Sequence, residues 1–139
     1  MTDSKLDALR KVPLFTGCDG RAMAAINQLA DEVDLRDGAV LAREGDLGHE
    51  FFLILQGTVR IEREGKTLDT LGPGDFLGEI ALLQEGRRTA TATAEGPVRV
   101  AVLTHQGFDS LLDTQPGITR AVLQALATRL RGLQPEAVD

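Results

Sequence analysis

Phe51-Phe52-Leu53-Ile54-Leu55-Gln56-Gly57-Thr58-Val59-Arg60-Ile61-Glu62-Arg63-Glu64-Gly65 is the stretch whose pattern decides the fold. It starts as an unbroken apolar run and passes a Gln-Gly pair. Val59 and Ile61 then alternate with Arg60 and Glu62 up to a second turn signal. The same punctuation continues downstream. Leu68 and Leu71 lead to Gly72-Pro73-Gly74, and Thr89 to Ala94 keeps a strict period of two. Val98, Val100 and Val102 share one face after Gly96-Pro97. Ten of the fifteen glycines fall between Gly38 and Gly96 and separate strand-sized segments. Short alternating strands with turn signals at this spacing predict an antiparallel β-roll or jelly roll, a double-stranded β-helix.

The flanks carry a helical period instead. Leu6, Leu9 and Arg10, then Ala22 to Ala30 behind the capping residue Asp19, predict short N-terminal helices within residues 5–31. The roll is expected over 33–104. Beyond Thr104, Phe108, Leu111 and Leu112 share a face. Ile118, Val122, Ala125, Leu126, Leu130 and Leu133 form a second stripe, predicting two C-terminal helices within 105–133. Pro116 suits the first turn of the last one, Arg129 and Arg131 complement its C-terminal dipole, and Gly132 and Pro135 stop it. That helix, read as about four turns, is short for a coiled-coil seam, so a monomer or weak homodimer is expected.

Composition narrows the function. With 139 residues the chain is read as one domain able to bury a core. A net charge of −6 argues against a nucleic-acid surface on this chain, which would need clustered Lys and Arg. It leaves room for a small anion in a local field. The single cysteine, Cys18, forms no intrachain disulfide, and neither a signal-peptide layout nor a membrane-length apolar run is present. A cytoplasmic protein without membrane contact is expected.

The stretch Gly78-Glu79-Ile80-Ala81-Leu82-Leu83, followed by Arg88-Thr89-Ala90, carries the chemistry. A glycine lets backbone approach a ligand closely, and a helix start over roughly Glu79 to Gln84 presents free N–H donors to an anion. Gly86 would end that helix, returning Arg88 to its N-terminus at the start of a strand. A guanidinium can pair two phosphate oxygens at once. Thr89 adds a hydroxyl donor, whereas an ionised Glu79 only accepts and so suits a sugar hydroxyl. One anion beside one 2′-hydroxyl describes a 3′,5′-cyclic nucleotide.

Residues 78–90 resemble the phosphate-binding cassette of cyclic-nucleotide-binding domains, Gly-Glu-Leu/Ile-Ala-Leu, a spacer, then Arg-Thr/Ser/Ala-Ala. Gly78, Glu79, Ile80, Ala81, Leu82, Arg88 and Ala90 match it. The run Gly86 to Ala90 is similar to cassettes of nucleotide-gated channels. Arg43 to Asp46, Phe52 to Gly57 and Val12 to Phe15 extend the resemblance over residues from about 5 to 133. Arg87 stands where many members carry Pro, and Ala92 where relatives often carry Val. The resemblance implies a single cyclic-nucleotide-binding domain over 1–139 with cAMP or cGMP as ligand. Glu79 would accept from the ribose 2′-OH, and Arg88 would pair the cyclic phosphate. The Ile80 and Ala81 N–H groups would donate to that phosphate, and Thr89 would reach phosphate or base. Members with a hydroxyl at the Thr89 position often accept cGMP in the syn form. Family helices after the roll move when nucleotide enters, so residues near Ile118 to Leu130 form the expected lid; no aromatic follows Phe108, which leaves aliphatic packing or Arg120 for the base.

Competing signals fall away. Gly65-Lys66-Thr67 lacks the first glycine of a P-loop, since Arg60 stands there, and is a hairpin turn. Gly72-Pro73-Gly74 has its third glycine one residue late for a dinucleotide fingerprint. His49 and His105, isolated in sequence, do not make a metal site, and His49 is expected at the surface. No nucleophile–base constellation stands out, so binding without catalysis is expected. Three outputs remain: a module signalling to an unidentified effector protein through its C-terminal helices, a cAMP-responsive transcription regulator of the catabolite-activator type lacking or separated from its DNA-binding domain, or a degenerate interaction module.

Overall fold

The computed structural model describes residues 4–133. Two helices open it, α1 (Ser4–Arg10) and α2 (Gly20–Leu29), with a 3-10 turn over Pro13–Phe15 between them. Asp19 caps α2 by accepting from the Ala22 N–H at 2.8 Å. The strands are β1 (Asp31–Leu35), β2 (Val40–Ala42), β3 (Leu47–Gly48), β4 (Glu50–Arg63), β5 (Lys66–Leu71), β6 (Phe76–Leu77), β7 (Gly86–Arg87) and β8 (Thr91–Thr104). A second 3-10 turn, Ile80–Leu82, lies between β6 and β7, and α3 (His105–Thr114) and α4 (Pro116–Leu133) close the chain. The main sheet runs β1-β8-β4-β5, with β2 paired to β8 and β6 to β4; β3 and β7 form a separate antiparallel pair. This is the predicted antiparallel roll with helices at both ends. No described helix is long and apolar enough to cross a membrane.

Several expectations are corrected. Gln56-Gly57 and Gly96-Pro97 do not end strands: β4 and β8 run through both as 14-residue strands, with register shifts between Ile54 and Thr58. The two glycines serve as paired bulges that bend the long ladder into a roll. Gly57 has φ +94°, and a Cβ there would stand 2.5 Å from the Pro97 carbonyl oxygen. β1 starts at Asp31, inside the stretch assigned to helix. The cassette helix contracts to the 3-10 turn, and β8 begins at Thr91 instead of Arg88. Gly86–Arg87 pair with Leu47–Gly48 instead. The apolar stripe of α4 is buried at Ile118 and Val122 but exposed at Leu130 and Leu133. Gly132 lies inside α4, and Pro135 falls outside the described residues.

Two cores explain the apolar run that opens β4. Phe51 and Leu53 pack with Leu9, Phe15, Met23, Ile26, Phe108 and Ile118, joining the roll to the helices. Phe52 and Ile54 point the other way, into the roll with Val59, Ala92, Ala94 and Val100. A strand covered on both faces needs apolar residues at every position, whereas the Val59–Arg63 half is covered on one face and alternates. The alternating half is the one that faces the cavity described next.

Candidate functional site

An open cavity of about 770 Å³ lies between the β4–β5 hairpin and the cassette. Gly78, Glu79, Ile80, Ala81, Arg88, Thr89 and Ala90 line it. Leu82 is the sequence-predicted residue that does not: it is fully buried in the helix-side core.

Arg88 is placed by backbone. Its N–H donates to the Asp46 carbonyl at 2.7 Å, and its own carbonyl accepts from the Gly45 N–H at 2.9 Å. The side chain passes between Gly48 and Gly78 and donates from Nη2 to the Glu50 carbonyl at 2.7 Å. A Cβ on Gly48 would overlap Nε, Cζ and Cδ of the guanidinium arm; one on Gly78 would stand 2.5 Å from Nη1. Gly78 has φ +80°, so both its conformation and its space exclude a side chain. Cζ of Arg88 lies 5.9 Å from the Phe52 ring centroid, within cation–π range. Burial pushes the guanidinium below its ordinary pKa, opposed by the charge of Glu50. An arginine stays protonated under such pressure. Among the described residues no carboxylate is in salt-bridge contact with Arg88. A half-buried guanidinium bonded to a carbonyl, with no carboxylate in contact, has donors left that can take an anion.

Glu79 is placed by side chains from distant elements. It is the buried charged residue of the roll, 7% exposed. Oε2 accepts from the Leu14 N–H at 3.3 Å, and Oε1 pairs with Nη2 of Arg129 from α4. Arg129 therefore leaves the dipole role expected for it and reaches the cassette. Arg120, the cation expected near the base, lines a separate groove with Leu112, Thr119 and Leu123. The Ala81 N–H donates to the Gly78 carbonyl at 3.0 Å within the 3-10 turn. Thr89 is exposed on the cavity wall, and its carbonyl accepts from Nε of Arg63 at 2.8 Å.

The two histidines are isolated in sequence but not in space. His49 is exposed, as expected, and pairs with Glu85; Nε2 of His105 lies 4.0 Å from the same carboxylate. The Nδ1 of His105 lies 3.0 Å from the Leu82 carbonyl oxygen and 3.1 Å from that of Ala81, tying the cassette turn to the start of α3. Burial pushes the Cys18 thiol up, as does Asp19 beside it, which disfavours the thiolate. Sequence reading missed Arg129, the Leu14 N–H and Gly48. Gly48 was one glycine among many, and the other two lie some fifty residues or more from Glu79, with no local pattern to mark them.

The sequence matches the family described as cyclic nucleotide-binding domain over residues 32–115. It is 30% identical over 138 residues to a CRP-like cAMP-activated global transcriptional regulator of Mycobacterium tuberculosis, covering 96% of this chain and 62% of that protein. It is 32% identical over 105 residues to a cAMP-dependent protein kinase regulatory subunit of Schizosaccharomyces pombe, covering 75% of this chain and 26% of the subunit. The crystal structure of the N-terminal domain of a transcriptional regulator from Streptomyces coelicolor A3(2) superposes with a TM-score of 0.87 at 34% identity, covering 96% and 99% of the two chains. The chain thus spans about three fifths of the mycobacterial protein and a quarter of the kinase subunit. It belongs to the cyclic nucleotide-binding domain family.

Proposed function

We propose that this member of the family is a non-catalytic module that binds a 3′,5′-cyclic nucleotide, cAMP or cGMP, and reports occupancy through α3 and α4 to a partner protein. The observation that carries the reading is the Arg88 guanidinium, half-buried in the same cavity as Glu79 and, among the described residues, in salt-bridge contact with no carboxylate. The cyclic phosphate pairs directly with Arg88, helped by the Ile80 N–H. Glu79 accepts from the ribose 2′-OH while Arg129 and the Leu14 N–H hold it in place. Because Arg129 belongs to α4, filling the ribose position alters the grip of the cassette on that helix. His105 offers a parallel tie between the cassette turn and α3.

A second reading is favoured by the mycobacterial and Streptomyces likenesses: the chain is the sensor part of a transcription regulator, with DNA contacts made elsewhere. Both readings share one test. Titration with cAMP, cGMP and 5′-AMP by calorimetry and thermal shift should show cyclic nucleotides adding about 2.7 kcal/mol of stability at a hundredfold excess over Kd. No shift at millimolar cAMP or cGMP overturns both. Affinity capture with and without nucleotide then separates them: nucleotide-dependent recovery of a signalling protein supports the first, and of a DNA-binding polypeptide the second.

A further inference from the structure

We propose that Glu50 sorts ligands by charge: its carboxylate, set beside Arg88, admits a singly charged cyclic phosphate and disfavours the doubly charged 5′-monophosphate that ring hydrolysis would leave. The proposal rests on the cyclic-nucleotide reading above. Backbone geometry brings the two charges together. Nη2 of Arg88 donates to the Glu50 carbonyl at 2.7 Å. Residues two apart on a strand share a face, so the Glu50 side chain leaves β4 on the side of Phe52 and Ile54. The Arg88 guanidinium stands against that same face, with Cζ 5.9 Å from the Phe52 ring centroid. Glu50 and Arg88 also share the wall of a second cavity, of about 310 Å³, with Arg43 and Asp46. Arg88 lines this cavity as well as the one that holds Glu79.

Packing does not account for a carboxylate there. Glu50 is half-buried, and among the described residues its carboxylate takes no hydrogen bond and no salt bridge. Drawing a charge out of water without a partner costs free energy. What offsets that cost is the field of Arg88. Burial lowers the arginine's pKa and the charge of Glu50 raises it, so the two groups feel each other without touching. Arg43 and Asp46 are exposed, where water and salt screen them. The bond that holds Arg88 comes from the Glu50 backbone, so the grip on the arginine does not need the side chain. The carboxylate acts through its charge.

An anion arriving at Arg88 is attracted by the guanidinium and repelled by Glu50. Both terms grow in proportion to the ligand's charge. A cyclic phosphate is a diester with a single negative charge, whereas a phosphate monoester carries about −1.5 to −2 near pH 7. Arg88 alone would therefore favour the monoester. A fixed carboxylate beside it works against that advantage. A repulsion that weakens a singly charged ligand about threefold weakens a doubly charged one about tenfold. Selectivity of this kind comes from an element set against the wrong ligand, at a smaller cost to the right one.

The test compares dissociation constants of cAMP, 5′-AMP and the singly charged methyl ester of 5′-AMP in the wild type, Glu50→Gln and Glu50→Ala. Both variants should tighten cAMP and the methyl ester about threefold and 5′-AMP about tenfold, narrowing the preference for the cyclic ligand. Damage to the site would weaken binding, so a gain in affinity separates the charge effect from a structural one. Asp113→Asn, which removes one negative charge at an exposed position of α3, should change none of the three. Binding of cAMP with its ratio to 5′-AMP unchanged in both variants overturns the role of Glu50 and leaves the site reading intact. Equal gains for 5′-AMP and its methyl ester overturn it too, because charge would not be the property sorted. So does a gain of the same size in Asp113→Asn. Absence of binding of every ligand to the wild type and to both Glu50 variants overturns the cyclic-nucleotide reading itself.

Discussion

Arg88 and Glu79 face one cavity but are held by opposite means. Arg88 is gripped by the roll: backbone bonds to Gly45 and Asp46, a side-chain bond to the Glu50 carbonyl, and two glycines that leave it a slot. Glu79 is gripped by helical elements: the Leu14 N–H from the N-terminal turn and Arg129 from α4. A ladder of backbone hydrogen bonds resists local movement, whereas one side-chain ion pair on an outer helix is lost when that helix shifts. In the proposed reading the Arg88 end of the site is therefore the fixed reference, and the Glu79 end is the one coupled to α4. Allosteric coupling needs a contact that differs between two states, and the pairing of Glu79 with Arg129 is placed to be one.

The largest way to break this comparison is Arg88→Ala. It should cost about 2–5 kcal/mol of cyclic-nucleotide binding while the roll still folds, read by calorimetry alongside circular dichroism. A loss of a few tenths would remove Arg88 from the ligand contacts. Glu79→Ala should cost about 1.5–3 kcal/mol, and the loss should be confined to ligands carrying the 2′-hydroxyl. Binding of 2′-deoxy-cAMP, weak in the wild type, should be nearly indifferent to that substitution. If both ligands weaken equally, Glu79 acts on the cassette as a whole.

Smaller changes sharpen the contrast between the two grips. Gly48→Ala forces the Arg88 side chain from its slot and should cost about 1–3 kcal/mol, the range of an overpacked site. The loss should appear in nucleotide affinity more than in melting temperature. Arg129→Ala should have the smallest effect on the roll, about 1 kcal/mol, since Arg129 is 38% exposed and solvent screens the pair. Its signature should instead be faster amide exchange in α4, with the strands unchanged. Equal exchange in both regions would remove the distinction between a fixed and a communicating end.

How much was legible in the sequence follows from how local each signal is. Alternation along Val59–Glu62 and Thr89–Ala94 marked the strands because side chains in a strand point to opposite faces in turn. Asp19 and Pro116 marked helix starts for equally local reasons. The cassette was legible because its glycine, acid and arginine lie within eleven residues. Gln56-Gly57 and Gly96-Pro97 were misleading: the same residues serve a turn or a bulge, and only the partner strand decides which.

What the sequence alone determined about this protein is its roll, its flanking helices and the chemistry of its cassette. Each depends on backbone preferences and short-range spacing written into consecutive residues. What only the tertiary structure decided is how the two charged groups are held. Gly48 and Glu50 are far from Arg88 along the chain, as Leu14 and Arg129 are from Glu79; the curl of β4 and β8 and the packing of α4 bring them together. Such contacts are made by chain closure and shared burial, which no local pattern encodes.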